Sequence, residues 1–289
     1  MAVGRFSDTN LLREATLSGG GWLPGHPLAN LKVDQDYIGA PARCADLADL
    51  SKSRFEVSFA EPTVVSFMAL LFHTLTVGAR YRLRATTADD VAFETPLLNT
   101  GWQYVYPSIY DPMDLDFGVE NFFSGTLSAA ERALYPPHLW IPFAEVLADR
   151  LLIELDDQEN AAGFIDIGGA YLTAGFSPDI NYDRGRDLNI ESRSLLDEGA
   201  SGQVFAEARQ ARRLLTVSYS NLKDDELRRF VDAAMRADTV RTVIFVPDSD
   251  DPGSLLREAY PATFKDPPGA RTTYRAQGAT TFTLKEILA

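Results

Sequence analysis

The sequence predicts a mainly β fold with a smaller α+β part, and three observations carry that expectation. Residues 55 to 85 are dense in Val, Phe, Leu and Thr with period-two alternation. The same pattern resumes at 151–173, and beyond about residue 210 it changes to a strand, a helix and further strands. A chain of 289 residues is long for one core, since cores stop growing at roughly this size and split into units of about 50 to 200 residues.

The elements follow in order. Glu61-Pro62 and Gly78 divide the first β-rich region into strands at about 54–60, 63–72 and 79–86. In the last, Tyr81, Leu83 and Ala85 alternate with Arg80, Arg82 and Arg84, so one face turns inward and an arginine row outward. Residues 151–157 and 163–173, joined through Asp156 to Asn160, read as a hairpin. From Phe176 to Gly202 the composition fits irregular structure or short edge strands. A strand at 213–218 leads to a helix at 224–236, with Leu227, Phe230, Val231, Ala234 and Met235 at helical spacing. Asn221 is placed to cap it, and Asp224, Asp225 and Glu226 suit its positive first turn. Strands at 242–246, 271–276 and 280–287 complete the part. The expected domains are 1–208, with an insertion at about 95–150, and 209–289.

Composition excludes several roles. A net charge of −14 opposes the phosphate backbone, so no nucleic-acid partner is expected. The opening residues lack a basic start and an apolar core, which predicts synthesis in a cytoplasm without a secretory signal. The longest apolar run, Val64 to Leu75, is broken by Ser66, His73 and Thr74 and is too short for a membrane helix, so no membrane insertion is expected. With one cysteine, Cys44, there is no internal disulfide and no paired-cysteine zinc site.

Residues Asn10 to Leu31 (NLLREATLSGGGWLPGHPLANL), followed after the strands by residues 151–185 (LLIELDDQENAAGFIDIGGAYLTAGFSPDINYDRG), resemble tail-tip proteins of tailed bacteriophages that carry a discoidin-like, galactose-binding-type jelly roll. The resemblance spans roughly residues 10 to 205 and implies a jelly-roll β-sandwich followed by a small α+β domain. It also implies a structural virion protein of a tail tip or baseplate, forming a ring with copies of itself and other tail proteins. A carbohydrate-binding module or carbohydrate-active enzyme on the same scaffold is the alternative, because this architecture hosts both. Contact with a host-surface glycan stays open on either reading.

The chemistry-bearing residues give no complete catalytic constellation, so no enzyme and no cofactor are expected. His26, His73 and His138 lack a second histidine or cysteine at ligand spacing and read as packing or hydrogen-bonding residues. No HExxH, GxSxG or GxxxxGK[ST] occurs. Asp111, Asp114, Asp116 and Glu120 form the densest acidic set, which could hold Ca²⁺ or supply a glycosidase pair but reads first as a solvated loop. Asp248, Asp250 and Asp251 follow a strand end and carry turn chemistry, and Cys44 reads as a small buried residue. Gly19 to Gly21 form a turn before Trp22, a core plug or a sugar platform. Ten aromatics fall between Trp102 and Phe143, about twice the chain average, in a stretch broken by prolines. Trp102, Tyr104, Tyr106, Tyr110, Phe117, Phe122 and Phe123 are therefore the expected interface residues.

Overall fold

The computed structural model describes residues 4–33, 37, 39–198, 202–274 and 277–288. In chain order the strands are β1 (Arg5–Ser7), β2 (Thr16–Ser18), β3 (Ala42–Cys44), β4 (Arg54–His73), β5 (Arg80–Thr86), β6 (Leu98–Asn99), β7 (Gln103–Tyr104), β8 (His138–Asp156) and β9 (Ile165–Thr173). They continue with β10 (Asp187–Glu191), β11 (Leu195–Glu198), β12 (Val204–Glu207), β13 (Arg212–Lys223), β14 (Val243–Val246), β15 (Tyr260–Tyr274) and β16 (Gln277–Glu286). The helices are α1 (Ala129–Arg132), α2 (Asp224–Ala237) and α3 (Pro252–Arg257). The fold is mainly β. Contacts divide it into one unit of residues 1–176 with 246–259 and a second of 177–245 with 260–288.

The first unit is a sandwich built on one folded ribbon. β4 is a single 20-residue strand, where two were expected, and it pairs with β8 along its length. At about 3.3 Å per residue a straight ribbon of that length would hold its ends roughly 65 Å apart. Yet Asp157, just past the end of β8 that pairs with Arg54, accepts a hydrogen bond from the Thr76 amide at 3.1 Å, three residues beyond the other end of β4. The ribbon therefore doubles over. Its register skips between Ser58 and Thr63 and again between Val65 and Phe67, placing Pro62, which cannot donate to a ladder, and Pro142 at the folds.

One sheet holds β2, the first part of β4, the last part of β8 and β5, with β6 and β7 along β5. The other holds β3, β9, the second part of β4 and the start of β8. Phe55, Val57, Leu83 and Ile153 from the first meet Met68, Leu70, Ile141, Ile167 and Leu172 from the second in one core, each fully buried. The expected hairpin at 151–173 is absent: β4 lies between β8 and β9, and each pairs with it instead. Since β8 starts at His138, residues 138–150 belong to the sandwich and the insertion ends before them.

The arginine row of β5 does not stand free. Arg82 donates to Glu154 at 2.6 and 2.8 Å, Arg84 lies 3.1 Å from the same carboxylate and Arg80 reaches Asp156. These pairs cross to the neighbouring strand β8. Trp22 is half-buried, meets Phe55 edge-on at 5.9 Å and donates from Nε1 to the Arg54 carbonyl at 2.8 Å, as a core plug does. Gly20, at φ +75°, is needed for that approach, because a Cβ there would lie 2.1 Å from the Arg54 carbonyl oxygen.

His73 is 2% exposed in this core. The Leu75 amide donates to its Nδ1 at 3.2 Å, which leaves the ring proton on Nε2. Burial holds its pKa at about 3, against 6.5 for an ordinary histidine. The unfolded chain then binds a proton between pH 6.5 and 3 that the fold refuses. This part of the stability is intact above pH 6.5 and falls with pH down to about 3, at a slope approaching about 1.4 kcal/mol per pH unit. Urea titrations followed by tryptophan fluorescence should show that slope, and His73→Asn, which keeps an acceptor near Nδ1, should flatten it.

The second unit is a sheet in the order β14-β15-β16-β13-β10 with α2 packed on it. β10 pairs with β13, so residues expected in the first domain belong here, and the division falls at Phe176 rather than near residue 208. The helix matches its expected span, but its N-cap is Lys223, whose amide donates to Glu226 at 2.8 Å. Asn221, the expected cap, still belongs to β13. Phe230 is fully buried against Tyr219 and Phe282, at ring separations of 5.1 and 5.6 Å, and Val231 is half-buried. The expected strand at 271–276 is part of the longer β15, except for residues 275 and 276, which lie outside the described residues.

Candidate functional site

The insertion and α3 build a cleft of about 560 Å³ on the first unit. Its floor comes from β5 and the start of β8, through Tyr81, Leu139, Trp140 and Phe143. One wall is the chain from Leu98 to Ser108, stitched to β5 by Tyr81 opposite Gln103 and by the Val105 amide on the Ala79 carbonyl at 2.9 Å. The opposite wall is Ser249, Asp250, Pro252, Leu255 and Leu256.

That second wall is set by the acidic turn singled out in the sequence. Asp248 accepts from the Asp250 amide at 2.9 Å, and Asp251 caps α3 by accepting from the amides of Gly253 and Ser254 at 2.9 and 3.2 Å. Pro252 stands at the helix start, where its missing N–H costs nothing. The helix is fastened to the insertion through Arg257, which donates to Tyr110 and, at 3.3 Å, to Glu131. Tyr110 also donates to Glu131. Glu131 is at the same time the capping-box acid of α1, accepting from the Ser128 amide at 2.9 Å. These bonds hold its carboxyl below the usual carboxylate range, the Tyr110 bond most of all.

Inside the cleft an apolar body meets a few polar groups. Tyr104 is 60% exposed, whereas Trp140 is 5% exposed. Burial pushes the Tyr81 hydroxyl up to about 12, so it stays protonated as a donor. Gln103 spends one amide hydrogen on the Thr100 carbonyl at 3.1 Å. Ser249 is 5% exposed and its Oγ has no hydrogen-bond partner among the described residues. A buried hydroxyl left unpaired costs about 1–3 kcal/mol, and this one is covered rather than presented at the cleft surface. Asp250 is the one carboxylate among its lining residues.

The residues expected at an interface part company. Tyr104 lines the cleft, and Tyr110 belongs to the clamp behind it. Trp102 lies under Arg82 and Arg80, at 4.8 and 5.7 Å, and Tyr106 packs on the sandwich core and meets His73 at 6.0 Å. Phe117, Phe122 and Phe123 form an edge-to-face trio in which Phe117 and Phe123 are 86% and 91% exposed. Asp111, Asp114, Asp116 and Glu120 are exposed in the same segment, where Asp111 accepts the Met113 amide and Glu120 the amide of Ala129 at the start of α1. Among the described residues no group of three or more His, Cys, Asp and Glu side chains could hold a metal. His26 bonds the Pro41 carbonyl at 3.2 Å, and His138 accepts the Phe72 amide at 3.2 Å inside the core. Cys44 is fully buried, and burial raises its thiol pKa. Sequence reasoning missed Gln103 and Ser249 as lining residues; Tyr104, the aromatic run that includes Trp140 and the turn at Asp248 to Asp251 gave the signal.

No protein-family model matches the chain, and no curated protein matches it. Among solved structures it is similar to CBM32-1 from a family 31 glycoside hydrolase of Clostridium perfringens, with 12% identity, a TM-score of 0.34, and coverage of 57% of this chain and 96% of that one. It is also similar to CpGH89CBM32-4 from the same organism, in complex with GlcNAc-α-1,4-galactose, with 15% identity, a TM-score of 0.32 and coverage of 57% and 94%. A family 89 glycoside hydrolase of Clostridium perfringens matches at 10% identity and a TM-score of 0.35, over 64% of this chain and 16% of that one. At such identities and scores nothing about ligand or role passes from those proteins to this chain.

Proposed function

We propose that the chain is a binding protein rather than a catalyst, and that its cleft takes a glycan. What supports this reading is the composition of the cleft: Tyr104 and Trp140 line one concavity together with Ser249, Gln103 and Asp250. A sugar ring has an apolar face that stacks on an aromatic and hydroxyls that bond an amide, a carboxylate and a hydroxyl. Hydrolysis of a glycosidic bond needs two carboxylates about 5 to 9.5 Å apart, and the cleft lining has one.

The test is a glycan array probed with the full chain and with a Tyr104→Ala, Gln103→Ala variant. Wild type should bind a restricted set of glycans. The variant, altered only on the cleft wall, should lose at least about tenfold in affinity, the ~1.4 kcal/mol that one buried hydrogen bond supplies. An array with no binder, or equal binding by both chains, would contradict the reading.

A second reading, a structural subunit of a phage tail tip or baseplate ring, is favoured by one observation. Met113, Phe117 and Phe123 are each 86% exposed or more within one stretch of the insertion, and such apolar surface is ordinarily covered by another protein.

A further inference from the structure

Tyr104 lines a second concavity besides the cleft. Register sets Tyr104 of β7 opposite Arg80 of β5, and Arg80 opposite Asp156 of β8, so the three stand in a row on one face of the sheet. They line a hollow of about 480 Å³ together with Thr76, Gln158 and Glu159. The turn after β8 builds one side of it: the Asn160 amide donates to the Asp157 carbonyl at 3.1 Å, and Asp157 ties the turn to Thr76. Like the cleft, this hollow falls in the range of about 300–1,000 Å³ that small-ligand sites occupy. Most of its polar groups are spent on the fold. Asp157 accepts from Thr76 and from the Asn160 side chain at 2.8 Å, and Arg80 is paired with Asp156. Gln158 and Glu159 are exposed, and their side chains make no hydrogen bond or ion pair among the described residues.

We infer that the cleft and this hollow are the two halves of one groove, and that its ligand is an oligosaccharide free of acid groups rather than a single sugar. The inference rests on the glycan reading of the cleft and extends it across Tyr104. A sugar chain repeats one chemistry from ring to ring, an apolar face edged by hydroxyls. The groove repeats the matching groups: an amide and a carboxylate from Gln103 and Asp250 in the cleft, and again from Gln158 and Glu159 in the hollow, with the exposed Tyr104 common to both. Charge sets the class of sugar. The two linings carry Asp250, Asp156, Asp157 and Glu159 against Arg80 alone, and Arg80 is already paired. Of the arginines around them, Arg82 is bonded to Glu154 and Arg257 to Glu131. A uronate or sulfate would lose hydration beside carboxylates with no uncommitted base in either lining to meet it. A neutral or amine-bearing chain meets no such cost.

The experiment is isothermal titration calorimetry of the full chain with mono- to tetrasaccharides of galactose, glucose, N-acetylglucosamine and glucosamine, and with galacturonate oligomers as the acidic arm. At least one of the first four series should gain about tenfold in affinity between one sugar and three, as added hydrogen bonds in a second half supply. Galacturonate oligomers should not bind. Gln158→Ala with Glu159→Ala should bind that trisaccharide no more tightly than wild type binds the monosaccharide. Both side chains are exposed and unbonded, so the variant should melt at the wild-type temperature by circular dichroism. A trisaccharide that gains nothing over its monosaccharide, a variant that keeps wild-type affinity for it, or galacturonate bound as tightly as the best of the other series would each overturn the inference and leave the cleft reading standing. No binding in any series overturns it as well, and the cleft reading falls with it only if the array is also blank.

Discussion

Phe230→Ala should cost the second unit about 3 to 5 kcal/mol, the range for removing a fully buried phenylalanine ring. The ring is 0% exposed and sits between Tyr219 and Phe282, with Phe282 also touching Phe245 and Phe264, so its loss opens a void in a cluster of four other aromatics that cannot all close in. The three tryptophans, Trp22, Trp102 and Trp140, all belong to the first unit, so the effect is best read by far-UV circular dichroism and tyrosine absorbance during urea unfolding. An unchanged midpoint would mean that α2 does not close this sheet.

Glu286→Ala should be as damaging for a different reason. Glu286 is 2% exposed, accepts the Arg213 amide at 2.9 Å and forms an ion pair with the Arg213 guanidinium, which is itself stacked 4.5 Å from the Tyr260 ring. Removing the carboxylate leaves a buried cation and a buried amide without their acceptor, a loss of about 3 to 5 kcal/mol. The double change Arg213→Met with Glu286→Leu should recover most of it, because the desolvation of both charges disappears together. If the double variant is no more stable than Glu286→Ala, the cost lies in packing rather than in the uncompensated charge.

Both predictions concern residues the sequence treats very differently. Leu227, Phe230, Val231, Ala234 and Met235 recur at helical spacing, so α2 is legible from local order, but its buried face is only partly so: Leu227 and Phe230 are buried with Ala233 and Ala237, while Met235 is 82% exposed. Local order also shows β5, where arginines alternate with apolar residues. The ion pair of Arg213 and Glu286 joins positions 73 residues apart and has no local sign. The doubled ribbon of β4 and β8 was misread for a physical reason. Glu61-Pro62 looks like a turn between two strands, and only the pairing of β8 on both sides of it makes one bent strand. Pairing β8 with β9 is a related misreading, since a short polar link of Asp, Gln, Glu and Asn reads as a hairpin whatever strand lies between its arms.

The cleft was the least legible part. It gathers Tyr81, Gln103, Trp140 and Ser249 from segments scattered over more than half the chain. An aromatic count finds the insertion but cannot separate Tyr106, turned onto the core, from Phe117 and Phe123, turned to solvent. An unpaired serine hydroxyl is a property of its surroundings and leaves no trace in the sequence at all.

The most direct measurement for the cleft is a ¹⁵N NMR titration of the full chain with a glycan that binds on the array. The account predicts shifts at the Trp140 indole, the Gln103 side-chain amide and the backbone amides of Ser249 and Asp250, with residues of β11 and β12 unmoved. Saturable shifts elsewhere on the first unit, with these four groups unchanged, would contradict it.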